Sequence, residues 1–496
     1  MNFSEVRDLL SAEGLLRDAT PDADLSIRAV GCNSAAVTPG MLFFCKGARF
    51  KEEYLRDALR KGAAAYVSET DYGLPVPRIL VSDVRRAMPL IAHRFYNAPE
   101  TKYPLVGITG TKGKTSCAYL LAGIFKEEYD GKYGLISTNE ALSCGKKLPK
   151  TGTTPEALDL YALLNDFACS GARAVVTEVS SQGLQYDRVA YLEFAVGIYL
   201  NLSPDHISPT EHKDFNEYKQ AKKKLMSLCR QAVVNLDDPY GGEMRQAAGN
   251  TPCVTVSLTD RNADYSARDL SLSEEGLTFT VVSPRDREMH GRRVTLRMVG
   301  EFNVSNALCA LAAARLLGIG VPSVLKGLAE TAVKGRMERY VFGGVDVLVD
   351  YAHNGVSFEK VFDYADRFHP QGRKIVVYGC PGNKAYDRRD EMSDVAGQRA
   401  DFIVLTDDDP AYEDPDAIMD QAEKMLKYHD ADYCRIHDRR QAVAYAAGIC
   451  RPGDLLLLLA KGHETTQIVN GEYVEYGGDR KAAEDAFAAL IPEGGN

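Results

Sequence analysis

The stretch GITGTKGKTS, residues 107–116, constrains this chain more than any other. An apolar run from Pro104 to Ile108 leads in, and a helical stretch, CAYLLAGIFK at 117–126, leads out. That strand, loop and helix order is the setting a phosphate-binding loop requires. In the inner pattern Gly110-Thr111-Lys112-Gly113-Lys114-Thr115, glycines let backbone N–H groups converge on phosphate oxygens, and the helix N-terminus adds partial positive charge. Lys114 is expected on the outer phosphates, and the Thr115 hydroxyl on Mg²⁺, whose shell water and nucleotide oxygens complete. A glycine-rich turn with an incidental lysine is the competing reading, and the flanking elements weigh against it. An ATP site is the expectation.

At 496 residues the chain is too long for one ordinary core, and length alone suggests about three domains. Hydrophobic residues at 45% and charged ones at 26% exclude a disordered or fibrous class. Net charge is -10 and no long Lys/Arg tract occurs, so nucleic acid is not an expected partner. The opening MNFSEVRDLLSAEGLL lacks the basic-then-apolar order of a signal peptide, and apolar runs such as DLLLLLA at 454–460 are too short to span a bilayer. A cytoplasmic, monomeric protein without a membrane span is expected. Eleven cysteines, an odd number without a C-x-x-C pair, suggest reduced core residues rather than disulfides or zinc.

Residues 1–100 alternate short apolar runs (RAVG, MLFFCKG, AAAYVSE, PRILVSD) with helical stretches such as EEYLRDALRKGA, which argues for a small α/β unit. The stretch from Val84 to Arg94 reads as a helix, and Asn97-Ala98-Pro99 as a break. Residues 101–333 read as the nucleotide domain, with strands near YGLIS, ARAVVTEVSS, FAVGIYLNLS, QAVVNLDD and CVTVSL, then a hairpin region to about 298. Glu178 stands at a strand end, where ligands of open α/β sheets sit; it is a candidate for magnesium or a solvated loop glutamate. GEFNVSNALCALAAARLLGI, 300–319, reads as a helix with Asn303 and Asn306 on one face and an Ala/Leu stripe on the other. The pair reads adenine or caps the helix. Residues 334–496 carry four apolar strands, GGVDVLVDYAHN, RKIVVYGCPG, ADFIVLTDDDP and PGDLLLLLAKGHE, each ending in a polar turn. That order predicts a mostly parallel, doubly wound sheet with Asp350, His353, Asp407, His463 and Glu464 along one rim.

Taken together, NSAAVTPGMLFF, GITGTKGKTS, TTPEALDL, EVSS, NLSPDH, YKQAK, NLDDPYG, GEFNVSNAL, GRMER, DYAHN, DDPAYEDP and KGHE resemble the Mur ligases, most closely the MurE type. The resemblance covers nearly the whole chain. It implies an N-terminal UDP-precursor domain, a central P-loop ATPase and a C-terminal Rossmann-like domain. It also implies a reaction: ATP phosphorylates the D-Glu carboxylate of UDP-N-acetylmuramoyl-dipeptide, and a free amino acid's amine displaces phosphate to leave an amide. A carboxylate needs such activation, and phosphoryl transfer depends chiefly on positioning and charge neutralisation.

By the same resemblance, Lys114, Thr115 and Glu178 serve phosphate and magnesium, and His206 binds the second of two Mg²⁺ ions. Lys222 matches a lysine carried as a carbamate, an anionic ligand where an ammonium would be repelled; without the resemblance it is one solvated lysine among several. Asn303 and Asn306 match adenine-side residues, while Arg336, Asp350 and His353 match residues that engage ATP. Ser34, Thr153, Thr154, Ser180 and Arg188 fall on positions for the UDP-dipeptide; Arg188 suits a phosphate or carboxylate.

The departures bear on specificity. Where diaminopimelate-using enzymes carry an arginine after D-N-P, this chain has Ala411; Lys384 stands where another arginine is common, and a lysine cannot form the same fork. Ala460 replaces the usual glycine before KGHE. Losing one partner of a buried charge pair costs roughly 2 to 5 kcal/mol, so L-lysine is favoured over diaminopimelate. Asp407, Asp408 and Glu464 are expected to hold its cationic ends. Lys112, Gln182, Tyr186 and a DHISPTEHKDFNEYKQAK interval two residues longer also depart from the pattern. The competing functions are a folylpolyglutamate-synthase-like ligase and a non-ligating P-loop ATPase.

Overall fold

The computed structural model describes residues 1–490 apart from 22–24, 48–49, 150–151, 206, 208–210, 274–275, 299 and 384–385. The chain is α/β and divides into two compact units: residues 1–270, 279–295 and 304–331 form the first, and 271–278, 296–303 and 332–496 the second. Two of the three large sheets lie in the first unit.

The N-terminal sheet comprises β1 (Leu16–Ala19), β2 (Ala29–Gly31), β3 (Met41–Phe44), β4 (Ala65–Ser68) and β5 (Arg78–Val81). Its order is β1-β5-β4-β3-β2, parallel from β2 to β5 and antiparallel only at β1. The sequence LRDA of β1 carries no strand periodicity; pairing with β5 makes it a strand. The expected helix near residue 84 runs Val84–Phe95, and Asn97 and Ala98 behind it both have positive φ, which ends it sharply.

The central sheet comprises β6 (Leu105–Thr109), β7 (Tyr133–Ile136), β8 (Ala141–Ser143), β9 (Lys146–Leu148), β10 (Ala174–Glu178), β11 (Val196–Tyr199), β12 (Ala232–Asn235) and β13 (Cys253–Val256). The order is β13-β12-β11-β6-β10-β7-β8-β9, and only β8 is reversed, pairing antiparallel with both β7 and β9. β6, buried along its whole length, lies between β11 and β10. The chain winds to both sides of β6, so the crevice beyond its carboxyl end is a switch point where α/β sheets bind ligands. The P-loop occupies that place.

A three-stranded sheet of β14 (Ser266–Ser273), β15 (Gly276–Val282) and β16 (Arg293–Leu296) follows. The helix predicted next runs Phe302–Leu316, but it is not one-sided. From Ala307 to Ala314 every residue is buried, as are Asn303 and Asn306. The Ala/Leu stripe therefore wraps the helix, which is a core element rather than an amphipathic one.

The third large sheet comprises β17 (Glu338–Phe342), β18 (Val345–Val349), β19 (Lys374–Tyr378), β20 (Phe402–Leu405), β21 (Tyr433–Arg435) and β22 (Leu455–Leu458), in the order β17-β18-β22-β19-β20-β21. The four predicted strands are its centre; antiparallel β17 and parallel β21 extend its edges. Leu455 and Leu457 pack into one apolar cluster while Leu456 and Leu458 pack into another, so helices cover both faces. The unbroken leucine run follows from this double burial, worth about 1.5 to 3 kcal/mol for each such side chain. A hairpin of β23 (Thr466–Val469) and β24 (Glu472–Glu475) follows KGHE.

All eleven cysteines are free, but only five are buried and Cys169 is exposed, so the expected core role holds for about half of them. Among the described residues no helix is long and apolar enough to cross a membrane.

Candidate active site at the phosphate-binding loop

The loop after β6 leads into a helix that starts at Lys114, three residues earlier than the sequence pattern suggests, and ends at Glu128. Gly113 caps it with φ +82, a conformation side chains rarely adopt. A Cβ there would lie 2.6 Å from Asn306 Oδ1, so the amide of Asn306 sits directly against the loop. The helix that starts here presents its N-terminus, with the partial positive charge that favours an anion.

The loop's cations are held inward. Lys114 Nζ donates to Gly110 O at 2.8 Å and Thr111 O at 3.2 Å, and Lys222 Nζ donates to the same Gly110 O at 2.8 Å. Lys222 is 1% exposed and lies over the Tyr218 ring, 4.6 Å from its centre. Burial, and then the ammonium of Lys114, push its amine well below the ordinary lysine value, with Asp205 opposing. Lys112 Nζ pairs with Asp205 at 3.2 Å.

Glu178, at the carboxyl end of β10, is buried and accepts from Thr115 Oγ1 at 2.9 Å, Thr138 N at 2.9 Å and Thr138 Oγ1 at 3.2 Å. It is not the solvated loop glutamate of the alternative reading. A buried carboxylate sharing a hydroxyl with the P-loop threonine is a hard oxygen pair suited to Mg²⁺. Thr153 joins through Thr138, hydroxyl to hydroxyl at 2.9 Å. Thr154 Oγ1 donates to Glu178 O at 3.0 Å and accepts from Ser180 N at 2.9 Å. Arg188 donates to Thr154 O at 2.9 Å and pairs with Glu156 at 2.6 Å, while Lys46 meets the same Glu156 at 2.6 Å. Ser34 opens a 3-10 turn before β3, its carbonyl accepting from Lys61. His206 and Lys384 lie outside the described residues.

Several site residues escaped the sequence reading. Asn201 pins the P-loop: its side chain accepts from Lys112 N at 2.8 Å and donates to Lys112 O at 3.0 Å. Asn201 and Asp205 both lie in NLSPDH, just past β11, and the strand-end rule could have found them. Both polar atoms of the Asn139 amide are buried without a hydrogen-bond partner among the described residues. No sequence pattern marks Asn139; it is found only because an orphaned buried amide beside Thr138 is costly unless something binds it.

In the second unit, Asp350 directly follows β18 and accepts from Met337 N at 2.7 Å. Burial lifts its carboxyl to about 6, against the pull of Arg336. Arg336 stacks on Tyr351, 4.6 Å from the ring centre, and Tyr351 O accepts from His353 Nδ1 at 2.7 Å. A carbonyl only accepts, so the His353 proton sits on Nδ1. Because the Asp350 carboxyl rises from an ordinary 3.8 to about 6, the folded state holds its proton more tightly. The resulting stability is full below about pH 4 and is lost as pH rises through about 6. Asp350→Asn is therefore expected to gain about 3 kcal/mol on wild type between about pH 4 and pH 8, read from denaturant melts at both.

The expected pocket of three acids is redrawn. Asp408 and Glu464 do converge, but on an internal cation: Lys461 Nζ lies 3.3 Å from Asp408, 2.8 Å from Asp409 and 2.8 Å from Glu464. Burial pulls the Lys461 ammonium down, yet the three acids outweigh it and hold its affinity for the proton well above the ordinary value. Asp407 turns away and pairs with His437 at 3.0 Å; Asp409 takes its place. Three acids around one ammonium leave excess negative charge. Ala460, which precedes Lys461, is buried with φ +81. An L-residue there costs about 1 to 2 kcal/mol, so Ala460→Gly is expected to raise the denaturation midpoint by a stability gain near 1 kcal/mol.

Models of the Mur ligase middle domain and of the Mur ligase glutamate ligase domain match residues 108–314 and 335–462. The chain is 37% identical to the UDP-N-acetylmuramoyl-L-alanyl-D-glutamate–L-lysine ligase of Enterococcus faecalis, over 97% of both proteins. This chain belongs to the Mur ligase family. The L-lysine ligase of Streptococcus pyogenes is 35% identical to this Mur ligase, over 97% of the chain and 98% of the relative. A solved UDP-N-acetylmuramoyl-L-alanyl-D-glutamate–2,6-diaminopimelate ligase shares the fold, with TM-score 0.68 and 28% identity over 99% of each chain. The three large sheets thus belong to a Mur ligase architecture, with residues 110–115 inside the matched middle domain and Lys461 at the end of the matched glutamate ligase domain.

Proposed function

We propose that this Mur ligase joins L-lysine to the D-Glu carboxylate of UDP-N-acetylmuramoyl-L-alanyl-D-glutamate in the cytoplasm, as a monomer, building a peptidoglycan precursor. The observation that carries this reading is full-length similarity to two L-lysine ligases at 35% and 37% identity. Ala411, where a guanidinium would read a second carboxylate, supports lysine over diaminopimelate. On this reading residues 1–100 bind the UDP precursor, 101–333 form the ATPase domain, and 334–496 bring the amino acid.

ATP is the phosphoryl donor. The helix N-terminus behind Gly113 and the orphaned Asn139 amide both suit a nucleotide phosphate. Backbone N–H groups from Gly110 to Thr115 receive the phosphates, and Lys114 exchanges its loop carbonyls for phosphate oxygens. Asn303 and Asn306 are assigned to the adenine side. Thr153, Thr154, Ser180 and Arg188, with Ser34, orient the dipeptide so that its carboxylate attacks the terminal phosphorus. ADP leaves, and the amine then displaces phosphate from the acyl phosphate to form the amide.

Thr115, Glu178, His206 and the carbamate of Lys222 would hold two Mg²⁺ ions, which neutralise charge on the transferring phosphoryl group. The depressed amine of Lys222 supports the carbamate: a neutral amine adds to carbon dioxide, forming an N–C bond and releasing a proton. In the second unit, Arg336, Asp350 and His353 are assigned to the nucleotide. Asp408 and Glu464 are assigned to the amino acid's ammonium groups, Asp407 and Lys384 to its surroundings.

Release of ADP should require both the UDP-dipeptide and an amino acid. Steady ATP hydrolysis without either would instead support a non-ligating P-loop ATPase.

A further inference from the structure

Arg389 is one of the largest fully buried side chains of the protein, yet it lies in the first turn of a polar helix, Asp387–Arg399. Its guanidinium forms a fork with Glu413, Nη1 to Oε1 at 2.8 Å and Nη2 to Oε2 at 2.7 Å. It also donates to Pro381 O at 3.0 Å and to Gln421 Oε1 at 2.7 Å. Glu413 closes a polar seam between the loops after β19 and β20. Its Oε2 accepts from Asn383 N at 2.8 Å, and the Asn383 side chain accepts from Tyr412 N at 3.0 Å. Gly382 N donates to Asp409 O at 2.8 Å, and a Cβ on Gly382 would lie 2.0 Å from Pro410 O.

The seam holds unusual backbone. Asn383 and Ala411 have φ +58 and +55. The held segment carries Asp409, whose Oδ1 takes both Lys461 Nζ at 2.8 Å and Ile468 N at 3.0 Å. Arg389 thus acts, through Glu413, on the segment that contributes to the Lys461 cluster. Stability alone does not explain a buried ion pair, since apolar side chains of similar volume usually serve as well. What a planar fork adds is direction, two parallel bonds that fix angle as well as distance.

We propose that Arg389, through its fork with Glu413, is a positioning residue for the incoming amino acid: it sets the segment Asp409–Glu413 and thereby the acids around Lys461. This rests on the L-lysine ligase reading above. The test is steady-state ligation by the full chain, with the KM of L-lysine, ATP and UDP-dipeptide measured separately. Arg389→Lys keeps the charge without the fork, and the double variant Arg389→Met/Glu413→Leu removes the pair while keeping the site filled. Both are expected to raise the KM of L-lysine at least about tenfold, with the other two KM values within about twofold. An unchanged KM for L-lysine in either folded variant, or a parallel rise in all three, would overturn the proposal. Should wild type ligate a different amino acid, the L-lysine reading falls, and the KM of that amino acid reports on Arg389 instead.

Discussion

Lys222→Ala is expected to lower the ligation rate by about a thousandfold without unfolding the chain. The fold should survive because Gly110 O keeps its bond from Lys114 when Lys222 is removed. The change also relieves the repulsion that Lys114 and Lys112 exert on a buried lysine. What is lost is a buried amine beside the P-loop able to become an anion by adding carbon dioxide. Small carboxylic acids that fit the vacated space should restore part of the rate. The measurement is ADP release and product mass, with and without added carboxylate. A variant that ligates at the wild-type rate would remove Lys222 from the mechanism and leave it a structural residue.

The second large effect concerns stability. Arg439 and Asp479 are both fully buried, joined by Nε to Oδ1 and Nη2 to Oδ2, each at 2.7 Å. Arg439 also donates to Leu459 O at 2.7 Å, and the Tyr476 hydroxyl donates to Asp479 Oδ1 at 3.1 Å. Removing one partner leaves an uncompensated charge in the core, so Asp479→Ala is expected to cost about 3 to 5 kcal/mol, read from the denaturant midpoint. The double variant Arg439→Met/Asp479→Leu should recover most of that loss, because no charge remains to be desolvated. A single variant within about 0.5 kcal/mol of wild type would show that the guanidinium finds water or another anion.

Both pairs were invisible in the sequence, for the same reason. Arg389, Arg439, Glu413 and Asp479 are charged residues in polar stretches, and composition places such residues outside. Only the fold brings partners 24 and 40 residues apart into one buried contact. The P-loop, by contrast, was legible because its parts are consecutive: strand, glycines, lysine, threonine and helix lie within one short stretch. The strand-end acids were legible too, since an apolar run ending in a polar turn already tells where the carboxyl edge of a sheet lies. Their partners were not. Nothing in TDDDP indicates that Asp408 and Asp409 both reach Lys461 while Asp407 pairs with His437, because β20 ends at Leu405 and the alternation of a strand no longer assigns sides beyond it. The helix Phe302–Leu316 misled in the opposite direction: its asparagines suggested a polar face, whereas every side of it is enclosed.

Addition of L-lysine by this Mur ligase can be tested directly. The most direct measurement incubates the enzyme with ATP, Mg²⁺ and UDP-N-acetylmuramoyl-L-alanyl-D-glutamate against a panel of amino acids, with mass detection of each product. L-lysine should yield a product heavier by one lysine residue, with matching ADP release, and meso-diaminopimelate little or none. Equal or faster turnover of diaminopimelate, or no ligated product with any amino acid, would contradict the claim.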